Sequence, residues 1–372
     1  MSSTIAPATA TAPVGAPSTA GGIEQASPPG ERGRPVRGVA HNNAVRSLGL
    51  LAGVAVLVVV TLASVAIGAR SIPLDEVLRA LQSAPVYDEA IIVWELRIPR
   101  TIMGLAVGVA LGVAGALIQA MTRNPLADPG ILGVNAGAAF AVAIGITVFG
   151  AGSISGYMWF AFAGALVVTV LVYLIGSAGY GPATPVRLTL AGVALAAVLS
   201  GITTAITLLN PNTFDQMRYW QAGSVVGRGL ELLWPVLPFF ALGLLCAVLV
   251  ARPLNAVAMG DDLARSLGAN VAVTRVLVIV AVTVLAGGAT ALAGPIGFVG
   301  LMVPHVARWI VGPDQRWILA YTVVLAPVLL ISADIIGRIA APPGELPVGI
   351  VTAFVGAPVL ILLVRRKRAS GL

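Results

Sequence analysis

Lysine is almost missing: Lys367 is the only one among 372 residues. A P-loop needs Gly-Lys-Ser/Thr, so the chain cannot hydrolyse ATP by that route. Charge of either sign is scarce, at 10% of residues against roughly 25% in soluble domains, and most of the chain has no aqueous surface to dress. The single cysteine, Cys246, excludes a disulfide within the chain and sits in an apolar run, where a free thiol serves as a small core residue. There are two histidines, His41 and His305, and no His/Cys/carboxylate cluster at ligand spacing. No metal and no cofactor are therefore expected. Acidic side chains are absent from the middle of the apolar runs, where ion-coupled transporters carry them. Asp334 lies near the outer end of one run, Glu95 precedes another and Asp128 falls between two. Energy for transport is then expected to come from a separate subunit. No paired catalytic set is visible either. A Ser–His pair using His305 is disfavoured because Pro304-His305-Val306-Ala307-Arg308 reads as a helix end, so no catalytic residue is assigned.

What is present is apolar length. The chain is 58% hydrophobic with mean hydropathy +0.96, and many of its 43 glycines and some of its 25 prolines sit inside apolar runs, as membrane helices tolerate. Ten runs approach the length that spans ~30 Å of hydrocarbon. They are Leu48–Ala69, Arg100–Met121, Ile131–Gly150, Tyr157–Gly176, Val186–Leu209, Leu232–Ala251, Val276–Ala293, Pro295–Val311, Trp317–Ile336 and Val348–Val364. The eighth is short and rich in Gly and Pro, and reads as broken or partly re-entrant. The expected fold is all-α and integral to the membrane, with about ten transmembrane helices over residues 46–372. Residues 1–45, rich in Ala, Pro, Ser, Thr and Gly, are expected to form a disordered cytoplasmic tail and not a signal peptide.

Ten spans place both termini on one side. With the N-terminus inside, 15 basic residues fall in internal segments and 7 in external ones, the Arg365-Arg366-Lys367-Arg368 cluster included among the former. Both termini are thus expected in the cytoplasm of a multi-pass cell-membrane protein. The same placement, flanking apolar runs, accounts for the net charge of +7 without a nucleic-acid partner. Pro129-Gly130-Ile131-Leu132-Gly133-Val134 and Pro295-Ile296-Gly297-Phe298-Val299-Gly300 are alike and five spans apart. Either they mark an inverted repeat of the kind found in transporters, or they are two chance Gly-rich segments.

Four constellations stand out. Arg97 and Arg100, separated by Ile98-Pro99, form an outward cationic fork, suited to an acidic partner or to interfacial anchoring. Asn124, Pro125, Asp128, Pro129 and Gly130 form a turn between two runs, which structural need alone can explain. The longest internal loop, Arg252–Gly268, places Asp261 and Asp262 at a helix start and Gly268 at its end. Such a short helix docks a soluble partner or lies on the lipid surface. Arg338, ahead of Ala341-Pro342-Pro343-Gly344-Glu345, adds a third outward arginine.

Together these segments resemble the permease family of bacterial ABC importers for iron-siderophores, haem and vitamin B12. The stretches that carry the resemblance are LRIPRTIMGLAVGVALGVAGALIQAMTRNPLADPGILGVNAGA, LAGVAL, YWQAGS, RPLNAVAMGDDLARSLGA, GPIGFVGLMVPHVAR and ADIIGRIAAPPGELPVGIVTAFVGAPVLILLVRR. The tail before Arg46 has no counterpart. The resemblance implies a vitamin B12 importer permease-like subunit with inverted-repeat organisation, paired with a second permease subunit, identical or paralogous. Two cytoplasmic ABC ATPase subunits and an extracytoplasmic substrate-binding protein or lipoprotein would complete the importer, with ferric siderophore the expected cargo ahead of haem or cobalamin. It implies that Arg97, Arg100 and Arg338 receive acidic groups of the binding protein. It likens Leu254, Asn255, Met259, Gly260, Ala264, Ser266, Leu267 and Gly268 to a loop that seats on the ATPase. Asn124, Pro125, Asp128, Pro129, Gly130, Gly297, Gly300, Pro304 and His305 are expected in structural or gating roles. The rival readings are an ion-coupled secondary transporter, a membrane enzyme and a membrane scaffold.

Overall fold

The computed structural model describes residues 38–40, 42–178, 184–341 and 344–365. The expected tail up to residue 37, His41, Pro342, Pro343 and the Arg366-Lys367-Arg368 cluster lie outside the described residues. Thirteen helices are used below: α1 Asn43–Ala66, α2 Leu74–Gln82, α3 Asp88–Thr122, α4 Val134–Phe149, α5 Ile154–Ser177, α6 Pro185–Leu209, α7 Pro211–Gln221, α8 Leu237–Ala258, α9 Asp261–Ser266, α10 Val271–Ala293, α11 Val299–Val311, α12 Gln315–Ala340 and α13 Val348–Arg365. Seven are long and apolar enough to cross a membrane, and α4, α11 and α13 are shorter apolar helices. Each of the ten expected runs therefore corresponds to one apolar helix.

Local chemistry sets the helix starts. Asn42 caps α1 by accepting from the Val45 N–H, Ser153 caps α5 through Gly156, and Thr184 caps α6 just ahead of Pro185. Helix α1 thus begins inside the segment expected to be tail. Residues just before it are also placed, since the Val39 and Ala40 N–H groups donate to the carbonyls of Trp309 and Ile310 in α11. Helix α3 starts twelve residues before the expected Arg100. Within it Ile92–Arg97 is a π turn, in which the Ile98 N–H reaches Val93, five residues back. Pro99 has no N–H to give to Glu95, so the regular ladder cannot run through this point. Helix α8 continues to Ala258, past the expected end at Ala251. Of the expected eighth span only α11 is helical, because Gly294–Phe298 stays outside any helix.

Helices α3 and α10 form the centre. In each, 78% of the most apolar stretch is buried, against 6% in α1. Without a hydrophobic drive between helices in lipid, close approach of small residues supplies the packing. Gly104, Gly108 and Gly112 of α3 lie at four-residue spacing against Ile331, Pro327 and Ala326 of α12. Gly115 meets α11 so closely that an added Cβ would stand 1.8 Å from the Gly300 carbonyl oxygen. A Cβ on Gly300 would be 3.3 Å from Pro129 Cδ, so the two similar Pro/Gly segments touch where α4 and α11 begin. The Thr290 hydroxyl donates to Asn135 Oδ1 at 3.1 Å, tying α10 to α4.

Candidate functional site

Two polar clusters sit at opposite ends of the bundle. At the first, the three arginines predicted as a docking face do converge, and all line one cavity of about 470 Å³ with Arg70, Glu95, Arg228 and Glu345. They are not a free cationic fork. The π turn aims Arg97 back into the protein, where its guanidinium donates to the carbonyls of Val65 (3.0 Å), Ala66 (2.6 Å) and Arg70 (2.7 Å). Asp334 of α12 accepts from Arg100 at 2.7 Å and from Arg338, one turn further on, at 2.6 Å. Arg100 also reaches Glu345 at 2.6 Å. Arg338 is 2% exposed and holds Ser64 and Ile67 of the α1 end through three further bonds. The arginines thus join α1, α3 and α12, Arg338 with all five of its N–H groups engaged and Arg97 bonded only to neutral backbone carbonyls.

The second cluster is built around the short helix α9. Gly260 (φ 119°) and Gly268 (φ 81°) take backbone conformations that L side chains rarely adopt, and so bound the helix on both sides. Leu263 and Leu267 between them, and Met259 just before, are exposed, while Ala264 is buried against Val257 and Val271. Asp261, the first helical residue, accepts from Arg123 at the end of α3 and from Arg275 in the first turn of α10 (2.6 Å). Arg123 holds the left-handed conformation (φ 51°) and also donates to the Val257 carbonyl at 2.8 Å. Leu254 and Asn255, expected in the loop, belong to α8 because Pro253 is accommodated inside that helix. Leu254 is buried core, and Asn255 bonds Asp314 Oδ1 (3.0 Å) and the Gln315 N–H (2.8 Å) at the start of α12. Burial alone would raise the Asp314 carboxyl, but the bonds from Arg316 and Asn255 outweigh it and hold the group below its ordinary value.

The residues expected in gating lie on α11 and in the turn that follows Arg123. Pro304, inside α11, has no N–H for the Gly300 carbonyl. Gln119 of α3 supplies the missing donor, with Nε2 at 3.3 Å from Gly300 O and 2.9 Å from Leu301 O. His305 is buried and its Nδ1 has no hydrogen-bond partner, so it does not cap last-turn carbonyls. Asp128 and Asn124 close their turns onto the N–H groups of Gly130 and Leu126. Burial pushes the Asp128 carboxyl up, against the opposing Gly130 bond. Among the described residues no group of three or more His, Cys, Asp or Glu is placed to hold a metal ion.

The family model of the FecCD transport family matches residues 56–366. The chain belongs to this family. It is 52% identical over 333 residues to the ferric enterobactin transport system permease protein of Escherichia coli, covering 90% of this chain and 98% of that protein. It is 39% identical to a probable siderophore transport system permease protein of Bacillus subtilis, covering 84% and 93% of the two. It is 37% identical to the vitamin B12 import system permease protein of Klebsiella pneumoniae, covering 90% and 98%. The solved structure of a metal-chelate type ABC transporter in an inward-facing conformation matches with TM-score 0.75 and 28% identity, over 86% of this chain and 99% of that one.

As a FecCD permease the chain is a multi-pass transport subunit and not an enzyme, and the ATPase resides in a partner. Several of its polar residues went unassigned in the sequence. Asp334 and Glu345 were visible there, but nothing in the order of residues shows that Arg100 and Arg338, 238 positions apart, share Asp334. Gln119 had no signal except Pro304 far along the chain. Arg228, between Gly227 and Gly229 after the YWQAGS stretch, was counted only as an external charge.

Proposed function

We propose that this chain is the permease subunit of an ABC importer that carries a ferric siderophore into the cytoplasm. The observation that carries the reading is the 52% identity, over nearly the whole length of both chains, to a ferric enterobactin permease. In this reading both termini are cytoplasmic, in line with the excess of arginine at that side. Helix α9 seats on a cytoplasmic ATPase subunit, and its exposed Leu263 and Leu267 supply the apolar contact. The exposed faces of α1, α6 and α13 are available to lipid and to a second permease subunit, and each permease meets one of two ATPases. The cavity lined by Arg97, Arg100 and Arg338 opens outward and takes acidic groups of an extracytoplasmic binding protein.

The geometry gives a route for energy. Asp261 bonds both Arg123 and Arg275, so a displacement of α9 pulls on the ends of the two central helices together. Of the two, α3 packs against α11 and α12, and the far end of α12 carries Asp334 and Arg338. ATP and the loaded binding protein shift the inward–outward equilibrium only through their different affinities for the two states. Uptake of labelled cargo (radioiron in the iron compounds, radiocobalt in cobalamin) by a strain lacking its own siderophore permeases, complemented with this chain and its ATPase and binding protein, tests the cargo. Ferric enterobactin, a ferric hydroxamate, haem and cobalamin are compared. Import of haem or cobalamin without ferric siderophore would overturn the cargo, and uptake that persists without the ATPase would overturn the importer class.

A further inference from the structure

We infer that a groove between α8 and α12 seats an anionic phospholipid, with its phosphate on Arg252 and Arg316 and an acyl chain lying along the two helices. Arg252 follows Val248 and Leu249 by one helical turn, so the three share a face of α8. Arg316, Leu319, Ala320 and Val323 share a face of α12 by the same periodicity. The two faces meet around a cavity of about 570 Å³. The helices run antiparallel there, because Asn255, one turn past Arg252, bonds Asp314 (3.0 Å) and the Gln315 N–H (2.8 Å) just ahead of Arg316. Both arginines therefore stand at the same end, and the groove residues beyond them are Ala, Leu and Val. From Arg316 to Val323 the helix rises about 10 Å, a depth that takes the upper part of an acyl chain.

Charge and wall chemistry together select the occupant. Arg252 is exposed and makes no hydrogen bond or ion pair among the described residues. Arg316 gives Nε and Nη2 to Asp314, at 3.3 and 3.1 Å, and keeps Nη1. Two guanidinium groups against one carboxylate leave this end positive, and a guanidinium fork matches phosphate. Both α8 and α12 are long and apolar enough to cross a membrane, and Val248 and Val323 on the groove walls are exposed, so the walls border hydrocarbon. Basic side chains at the end of a span attract anionic lipid. A soluble acidic partner or free phosphate gains nothing from apolar walls. A second copy of the chain would have to bring a carboxylate at the head of an apolar stretch, and the exposed helices α1, α6 and α13 contain no Asp or Glu. A lipid seated here joins α8 to α12 beside the Asn255 bonds, and so stiffens the end of the bundle next to α9.

The experiment uses the full-length chain in mild detergent, purified with and without its co-expressed ATPase. Phosphatidylglycerol, phosphatidylcholine and inorganic phosphate are added separately to delipidated protein, and native mass spectrometry and thermal melting are followed. The wild type is expected to retain one phosphatidylglycerol per chain and to melt higher with that lipid than with either other probe. Arg252→Gln combined with Arg316→Gln should weaken phosphatidylglycerol binding roughly 10-fold or more, and the difference should shrink at high salt. Ala320→Phe keeps both charges but fills the groove, and should lose the lipid as well. Arg265→Gln, on α9 and outside the groove, removes a charge near the same end and should leave binding within twofold. Binding by the double arginine variant within twofold of wild type overturns the site. Equal loss in Arg265→Gln, which marks diffuse surface charge, overturns it too, as does equal stabilisation by inorganic phosphate. Lipid bound only when the ATPase is omitted would give this end of the groove to the ATPase, and variants that dissociate a permease dimer without losing lipid would give it to a second copy. Either result replaces the lipid.

Discussion

At the scale of single residues, Asp334 is the acceptor on which two buried guanidinium groups depend. Asp334→Asn would leave Arg100 and Arg338 close together in a dry site with one weak acceptor between them. Breaking a buried pair from one side costs about 3–5 kcal/mol. The variant should therefore show a clearly lowered melting temperature in detergent and poor membrane yield. Glu345→Gln, whose side chain is 25% exposed, should lose much less, and equal melting of Asp334→Asn and wild type would refute the account. The same geometry changes how charge reversal at Arg97, Arg100 and Arg338 is to be read. Such a triple variant would break the joint between α1, α3 and α12, so its failure to transport would not report on docking. Backbone contact is the other residue-scale device. Gly115→Ala forces a methyl onto the Gly300 carbonyl, where neither backbone can yield, and overpacking of this kind costs about 1–3 kcal/mol or more. Gly201→Ala, on α6 with nothing within 4 Å of the new atom, should leave melting unchanged or raise it slightly. Comparable melting of the two variants would show that the close approach of α3 and α11 is not tight.

At the scale of elements, α9 is six residues long and cannot hold its shape alone. Two positive-φ glycines, the buried Ala264 and the double bond from Asp261 hold it in place. Leu263→Asp is exposed and should leave the subunit folded, yet weaken association with the ATPase roughly 30-fold, as loss of an apolar anchor does. Co-purification of wild-type amounts of ATPase with Leu263→Asp would rule out α9 as the seat. This helix was legible in the sequence because Gly-Asp-Asp at its start and Gly268 at its end are local signals. The ten apolar helices were legible for the same reason, since length and hydropathy are properties of a window. What the sequence did not disclose is non-local or sub-periodic. The π turn at Ile92–Arg97 needs only one inserted residue per turn and leaves the pattern unchanged. The continuation of α8 through Pro253 was hidden because proline usually ends a soluble helix, whereas packed membrane helices carry it. The inward turn of Arg97 follows from the π turn, and so a fork that looked free in one dimension is folded away in three.

At the scale of the whole molecule, the two polar clusters lie at opposite ends of the central helix α3, and the proposed mechanism needs them on opposite sides of the membrane. The scarcity of cysteine gives a direct check. Cys246 is buried in α8, and Cys246→Ala removes the only thiol at a cost of about 1 kcal/mol. Two single cysteines can then be placed in that background. Val86 is 82% exposed in the loop ahead of α3, at the end that carries Arg97 and Arg100, and Leu267 is 60% exposed beside α9. In intact cells expressing the permease without its ATPase, a membrane-impermeant maleimide should label Val86→Cys and spare Leu267→Cys. After lysis both should react. The opposite pattern would invert the topology, turning α9 away from any cytoplasmic ATPase and the arginine cavity away from any extracytoplasmic partner. Labelling of both positions in intact cells would deny that the two ends are separated by a bilayer, and with it the route from Asp261 through α3 to the arginine cavity.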